Sequence, residues 1–136
     1  MPSVDLYNTH FKKHVTKRND KIATSIRQCL ANAISRGDFP ILPNHEQESK
    51  MPIPITITYV DLSPDLRNAT IYFVPFGGEK KEECLKFFKL QTYFFKNLLA
   101  KKMRLRYIPN ILFKIDTSFE YSEKIDQLLD DVKLQS

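Results

Sequence analysis

Apolar positions along this chain change period several times, and each change marks an element. Between residues 19 and 37, Ile22, Ile26, Leu30, Ala33 and Ile34 recur at helical spacing. Asn19 stands where a cap belongs, Arg36 falls in the last turn, and Gly37 supplies the stop. The next stretch, DFPILPNHEQESKMPIP at 38–54, holds Pro40, Pro43, Pro52 and Pro54 and predicts a long loop. A period of two follows. Ile55, Ile57 and Tyr59 alternate with Thr56 and Thr58, and 69–74 is a second β-rich run. The connection DLSPDLRN between them predicts an antiparallel hairpin.

From Glu79 to Lys102 the chain contains no Pro or Gly, and Leu85, Phe88, Leu90, Phe94, Phe95, Leu98 and Leu99 make it strongly apolar. This predicts one long helix or two joined by a kink. The residues MRLRY after it are expected to be extended, with Met103, Leu105 and Tyr107 against the core and Arg104 and Arg106 on the opposite side. Pro109 breaks that run. ILFKI at 111–115 reads as a third strand with Ile111, Phe113 and Ile115 aligned. A last amphipathic helix is expected from about Ser118, burying Tyr121, Ile125, Leu128, Leu129 and Val132. The predicted order is α-β-β-α(kinked)-β followed by a C-terminal helix, an α+β arrangement with three strands.

Charge sharpens this picture more than composition does. The 136 residues carry a net charge of +5, unevenly spread. Residues 1–37 hold seven cations and two acids, 38–85 four and eight, 86–115 eight and none, and 116–136 two and six. A merely solubilising surface interleaves both signs, so the acid-free stretch containing Lys101, Lys102, Arg104 and Arg106 points to a polyanionic partner. With 42% hydrophobic and 27% charged residues and no long apolar run, the chain is expected to be a soluble single domain with no membrane partner. The first twenty residues show neither a secretory nor an organellar targeting pattern. Cys29 and Cys84, lying in predicted helices, read as free thiols of a reducing compartment.

Candidate chemistry is sparse. His10, His14 and His45 lie in the arm and the long loop, and the sequence offers no Ser/His/Asp order, metal-ligand spacing or glycine-rich phosphate cradle. No cofactor is called for. A small RNA-cleaving enzyme using His14 or His45 is the enzymatic alternative. A protein-interaction module acting through the acidic C-terminal helix leaves the basic block unexplained.

Two motifs, Ser-Pro-Asp-Leu-Arg at 63–67 and Met-Arg-Leu-Arg-Tyr-Ile-Pro at 103–109, stand in the order found in ribosome-binding factor A, which this sequence resembles. The resemblance extends through RNDKIATSIRQCLANAISRGD at 18–38 and DTSFEYSEKIDQLL at 116–129. It implies a type II KH-like domain over 18–136, a three-stranded sheet backed by helices, preceded by a basic arm at 1–17. It also implies a cytoplasmic, monomeric, non-enzymatic factor that binds small-subunit (30S) ribosomal RNA and immature small subunits during late maturation and 16S processing. A general KH-like binder of single-stranded RNA is the nearest alternative.

In KH modules a Gly-x-x-Gly loop lets the backbone approach phosphates, and the resembling family has an Ala-x-Gly interruption instead. Here the matching residues are Gln91, Thr92 and Tyr93, and the 38–54 loop is longer than the family pattern. The candidate RNA-contacting set is therefore Lys89, Gln91, Thr92, Tyr93, Lys96, Lys101, Lys102, Arg104 and Arg106, extended by Lys17, Arg18 and Lys21. Lys12 and Lys13 of the arm are further phosphate candidates. Of the aromatics Phe87, Phe88, Tyr93, Phe94 and Phe95, the helical spacing assigns most to the core and leaves Tyr93 as the best base-stacking candidate.

Overall fold

The amphipathic first segment forms α1, Lys17–Arg36, in a computed structural model that describes residues 17–118. Its Ile26, Leu30 and Ala33 are buried against the first strand. Gly37 ends it with φ 71°, a left-handed conformation that costs glycine little, while its N–H reaches the Ala33 carbonyl at 3.1 Å. Asn19 is not the cap. It lies inside the helix and is buried, because helical residues already precede it from Lys17.

Strands β1, Ile55–Leu62, and β2, Asn68–Pro75, form the expected antiparallel hairpin. Its alternation is not simple. The register shifts between Ile57 and Tyr59, so Thr58 is an extra residue and the inward positions become Ile57, Val60 and Leu62. Tyr59 therefore leaves the face of Ile57 and lies beside Tyr72, ring centroids 5.8 Å apart. A bulge of this kind flips every later side chain of the strand. β3, Asn110–Ile115, pairs parallel to β2, giving the sheet order β1-β2-β3. Asp116 closes the sheet: its carboxylate accepts the Thr58 hydroxyl at 2.6 Å and the Ser118 N–H at 2.9 Å, tying the end of β3 to the bulge of β1.

Between β2 and β3, a short turn at Phe76–Gly78 leads into α2, Lys81–Leu90, and α3, Thr92–Lys102. The helix is thus broken at Gln91, where φ is −95° and ψ 12°. Both helices drive phenylalanines into one aromatic centre. Phe88 stacks on Phe113 of β3 with centroids 3.9 Å apart and planes 8° from parallel, and Phe87, Phe95 and Phe73 complete the cluster. Four of these rings are fully buried or nearly so, which removes Phe87, Phe88 and Phe95 from any base-stacking role.

The segment 103–109 departs from the extended expectation. Met103 and Ile108 pack against the core, whereas Leu105 is only half-buried and stands outside the core cluster, and Tyr107 is 65% exposed. The chain bends at Arg106 and Tyr107 before the buried Pro109. That bend places the Arg106 guanidinium 5.5 Å from the Tyr107 ring centroid, a contact that consecutive residues on opposite faces of a strand cannot make. The expected C-terminal helix and the basic arm lie outside the described residues. Among the described residues, no helix is long and apolar enough to cross a membrane. Cys29 and Cys84 are free thiols, and burial pushes the Cys84 pKa up to about 11.

Candidate nucleic-acid interface

The turn between β1 and β2 is built from its own side chains. The Ser63 hydroxyl donates to the Asp65 carboxylate at 2.6 Å, and that carboxylate also accepts the Arg67 N–H at 3.1 Å. These bonds hold the Asp65 carboxyl below its ordinary range, with Ser63 the larger cause. The turn in turn receives β3: the Arg67 carbonyl accepts the Asn110 N–H at 2.8 Å. The Ser-Pro-Asp-Leu-Arg motif and the segment ending in Ile108-Pro109 are therefore neighbours in space, although far apart in the chain.

The same corner reaches α3. Lys96 Nζ lies 3.4 Å from Asn110 Oδ1, so Lys96 and Asn110 meet the main chain of Arg67 where the hairpin turn, β3 and α3 converge. Arg104 and Arg106 are exposed on the segment that joins α3 to β3. Arg67, exposed beside this corner and joined to it by its carbonyl, is a candidate cation that the sequence reading did not include. Its one signal was membership of the turn motif, since by charge it sits among carboxylates.

Lys101 and Lys102 close α3 but diverge. Lys102 approaches α1, where its charge and that of Arg36 act on the Cys29 thiol; burial nevertheless dominates and raises that thiol's pKa. Arg36, read as a helix-end residue, thus adds a further cation near this end. Lys101 instead lines a groove of about 410 Å³ between α3 and the 38–54 loop, together with Tyr93 and Asn97. Lys89 is exposed on the last turn of α2, and Lys21 is exposed near the start of α1; Lys17 and Arg18 form that helix's first turn.

Gln91 is a different case. It is 1% exposed, and its amide Nε2 donates to the carbonyls of Pro40 at 2.8 Å and Ser49 at 3.1 Å. Its side chain fastens the long loop to the helix break and does not reach the surface. Thr92 is half-buried, its hydroxyl 2.9 Å from the Phe88 carbonyl and 3.1 Å from that of Lys89, where it caps the end of α2. Of the three residues at the interruption, Tyr93 alone is exposed, at 77%.

The family model for ribosome-binding factor A matches residues 18–129. The chain belongs to that family. A ribosome-binding factor A from Pelagibacter ubique is 37% identical over 117 residues, covering 86% of this chain and 91% of the relative. One from Methylobacterium nodulans is 31% identical over 122 residues, covering 88% and 84%. The crystal structure of ribosome-binding factor A from Thermus thermophilus superposes with a TM-score of 0.55 at 21% identity, over 71% of this chain and 92% of that one. A solution structure from Thermotoga maritima, a putative ribosome-binding factor A, gives 0.54 at 26% identity, over 70% and 83%. A model of the Thermus thermophilus factor, fitted into a cryo-EM map of a 30S complex of that protein, gives 0.52 at 21% identity, over 70% and 91%. Among the described residues, the three helices and three-stranded sheet are accordingly the KH-like fold of the ribosome-binding factor A family.

Proposed function

We propose that this member of the family is a monomeric, cytoplasmic, non-enzymatic assembly factor. It binds phosphates of small-subunit ribosomal RNA through its basic surface during late maturation of the 30S subunit and processing of its 16S RNA. The observation that carries this reading is the position of Lys96, from the acid-free block, beside Asn110 and the hairpin turn, with two exposed arginines, Arg104 and Arg106, on the neighbouring segment. Arginine holds a phosphate through two parallel hydrogen bonds, whereas lysine acts as a mobile point charge, so the arginines contribute most. The names of the relatives and the 30S complex of the Thermus thermophilus factor support the choice of partner.

Co-sedimentation with immature small subunits tests it. Arg104→Glu together with Arg106→Glu lowers binding by about 100-fold or more, because two charge-assisted contacts become repulsions. The melting temperature stays within a degree or so, since both side chains are exposed. In a salt titration each lost phosphate contact reduces the log-log slope by about 0.7–0.9. Lys124→Glu with Lys133→Glu, in the acidic C-terminal stretch, leaves binding unchanged. Wild-type binding by the arginine variant overturns the assignment, and new RNA ends on incubation with ribosomal RNA favour an RNA-cleaving enzyme instead.

A further inference from the structure

The groove between the 38–54 loop and α3 has a composition that the phosphate-binding corner does not explain. One wall is Pro40 and Leu42; the other is Tyr93, Phe94 and Asn97, with Lys101 at the end. It is open to solvent along one side, with a volume of about 410 Å³. Tyr93, Asn97 and Lys101 follow one another at four-residue intervals along one face of α3, about 6 Å apart per step. They present an aromatic face, an amide that both donates and accepts, and a cation, in that order.

We propose that this groove receives an unpaired base of single-stranded RNA, with Tyr93 stacking on its face, Asn97 reading its edge and Lys101 holding a neighbouring phosphate. The inference rests on the RNA-binding reading and deepens it by assigning the long loop a role as the wall of a base pocket. Charge favours a nucleotide over a protein side chain. The lining contains Lys101 and no carboxylate, and its helical wall belongs to the stretch 86–115 that has none.

The loop wall is fixed in place beforehand. Gln91 holds the Pro40 carbonyl, the Ser49 hydroxyl accepts the Leu42 N–H at 2.9 Å, and Phe39 sits edge-on against Phe87 with centroids 4.9 Å apart. Both loop residues that line the groove are thus held before any ligand arrives, which lowers the ordering cost of binding.

The test uses the full chain and a labelled ten-nucleotide single-stranded RNA of mixed sequence, beside an abasic strand with the same phosphates. Binding to small-subunit ribosomal RNA and to immature small subunits is measured in parallel. The wild type prefers the base-bearing strand by at least about fivefold, the lower end of what base-aromatic stacking contributes. Tyr93→Ala removes that preference without changing the salt slope, Tyr93→Phe keeps it, and Asn97→Ala reduces it. Lys101→Ala lowers the slope by roughly 0.7 instead, the value for one phosphate of a single strand. Equal binding of both strands by the wild type, or a preference that survives Tyr93→Ala, overturns the base pocket while ribosomal RNA binding still stands. Loss of particle binding by Tyr93→Ala with the oligonucleotide unaffected assigns the groove to a protein partner and overturns it equally. A wild type that binds no RNA overturns both readings.

Discussion

Two bends in this chain are made without glycine, and they are made by different means. The turn from β1 to β2 is held by Ser63, Asp65 and the N–H groups of Leu66, Arg67 and Asn68, all within a few residues of one another, with Leu66 at φ 62°. The break between α2 and α3 is held by Gln91 through carbonyls 51 and 42 residues away. A local bend carries its partners with it and forms a recognisable motif. The second bend is local only in part: the Thr92 hydroxyl caps α2 on the Phe88 and Lys89 carbonyls, while the buried Gln91 amide depends on the distant loop. Each positions part of the candidate interface: the first docks β3 and Arg67, the second sets Tyr93 beside the long loop.

The largest expected effect comes from cutting the remote bend. Gln91→Leu keeps the volume but leaves the buried Ser49 carbonyl without its donor, which costs about 1–3 kcal/mol. For a chain of 136 residues each kcal/mol lowers the melting temperature by about 3–4 °C. Amide exchange should accelerate at 40–50 and stay slow in the hairpin. Unchanged melting would mean that the break is locally encoded after all, and the contrast would collapse.

A smaller effect follows from the local turn. Ser63→Ala removes the donor to Asp65 and the acceptor for the Asn68 N–H in an exposed setting, costing about 0.5–1.5 kcal/mol. In urea the midpoint should drop with no change in slope, since the surface exposed on unfolding is the same. Faster exchange at 40–50 in this variant would show the two bends to be coupled.

The smallest effect separates them by pH. Burial alone would raise the Asp116 pKa, but hydrogen bonds from Ser118 and Thr58 outweigh it, and Asp65 is likewise depressed by Ser63 and Arg67. A carboxyl whose folded pKa is lowered stabilises the fold above its ordinary value of about 3.9 and loses that contribution as pH falls through the folded value. Acid melts should therefore steepen below about pH 4, and Asp116→Asn should flatten them. Gln91 does not titrate, so Gln91→Leu should shift the melting curve by the same amount at every pH. A pH-dependent penalty in that variant would tie the break to a titrating group.

The reading of strands and helices from period alone held wherever packing followed the local pattern. Ile26 and Leu30 of α1, Ile71 and Phe73 of β2, and Ile111 and Phe113 of β3 all face inward as their spacing indicates. It failed at Thr58, where an extra residue reverses the alternation, and at Tyr107, where a bend ahead of Pro109 exposes a ring expected inside. In the candidate site, Lys96, Arg104 and Arg106 were legible from charge. Arg67 was not, because its nearness to Asn110 depends on strand pairing.

What the sequence determined by itself is therefore the set of elements, the acid-free block and the family, since periodicity, charge and turn motifs are properties of short stretches. The parallel pairing of β3 beside β2, the fastening of the long loop by Gln91 and the meeting of Lys96 and Asn110 with the main chain of Arg67 were decided by the tertiary structure. Gln91 shows the reason most clearly. A polar residue in an apolar helical run has no local partner to specify its place, and burying its amide is costly until the loop supplies two carbonyls. The bend forms where those distant acceptors are, and their position is fixed only when the whole chain has packed.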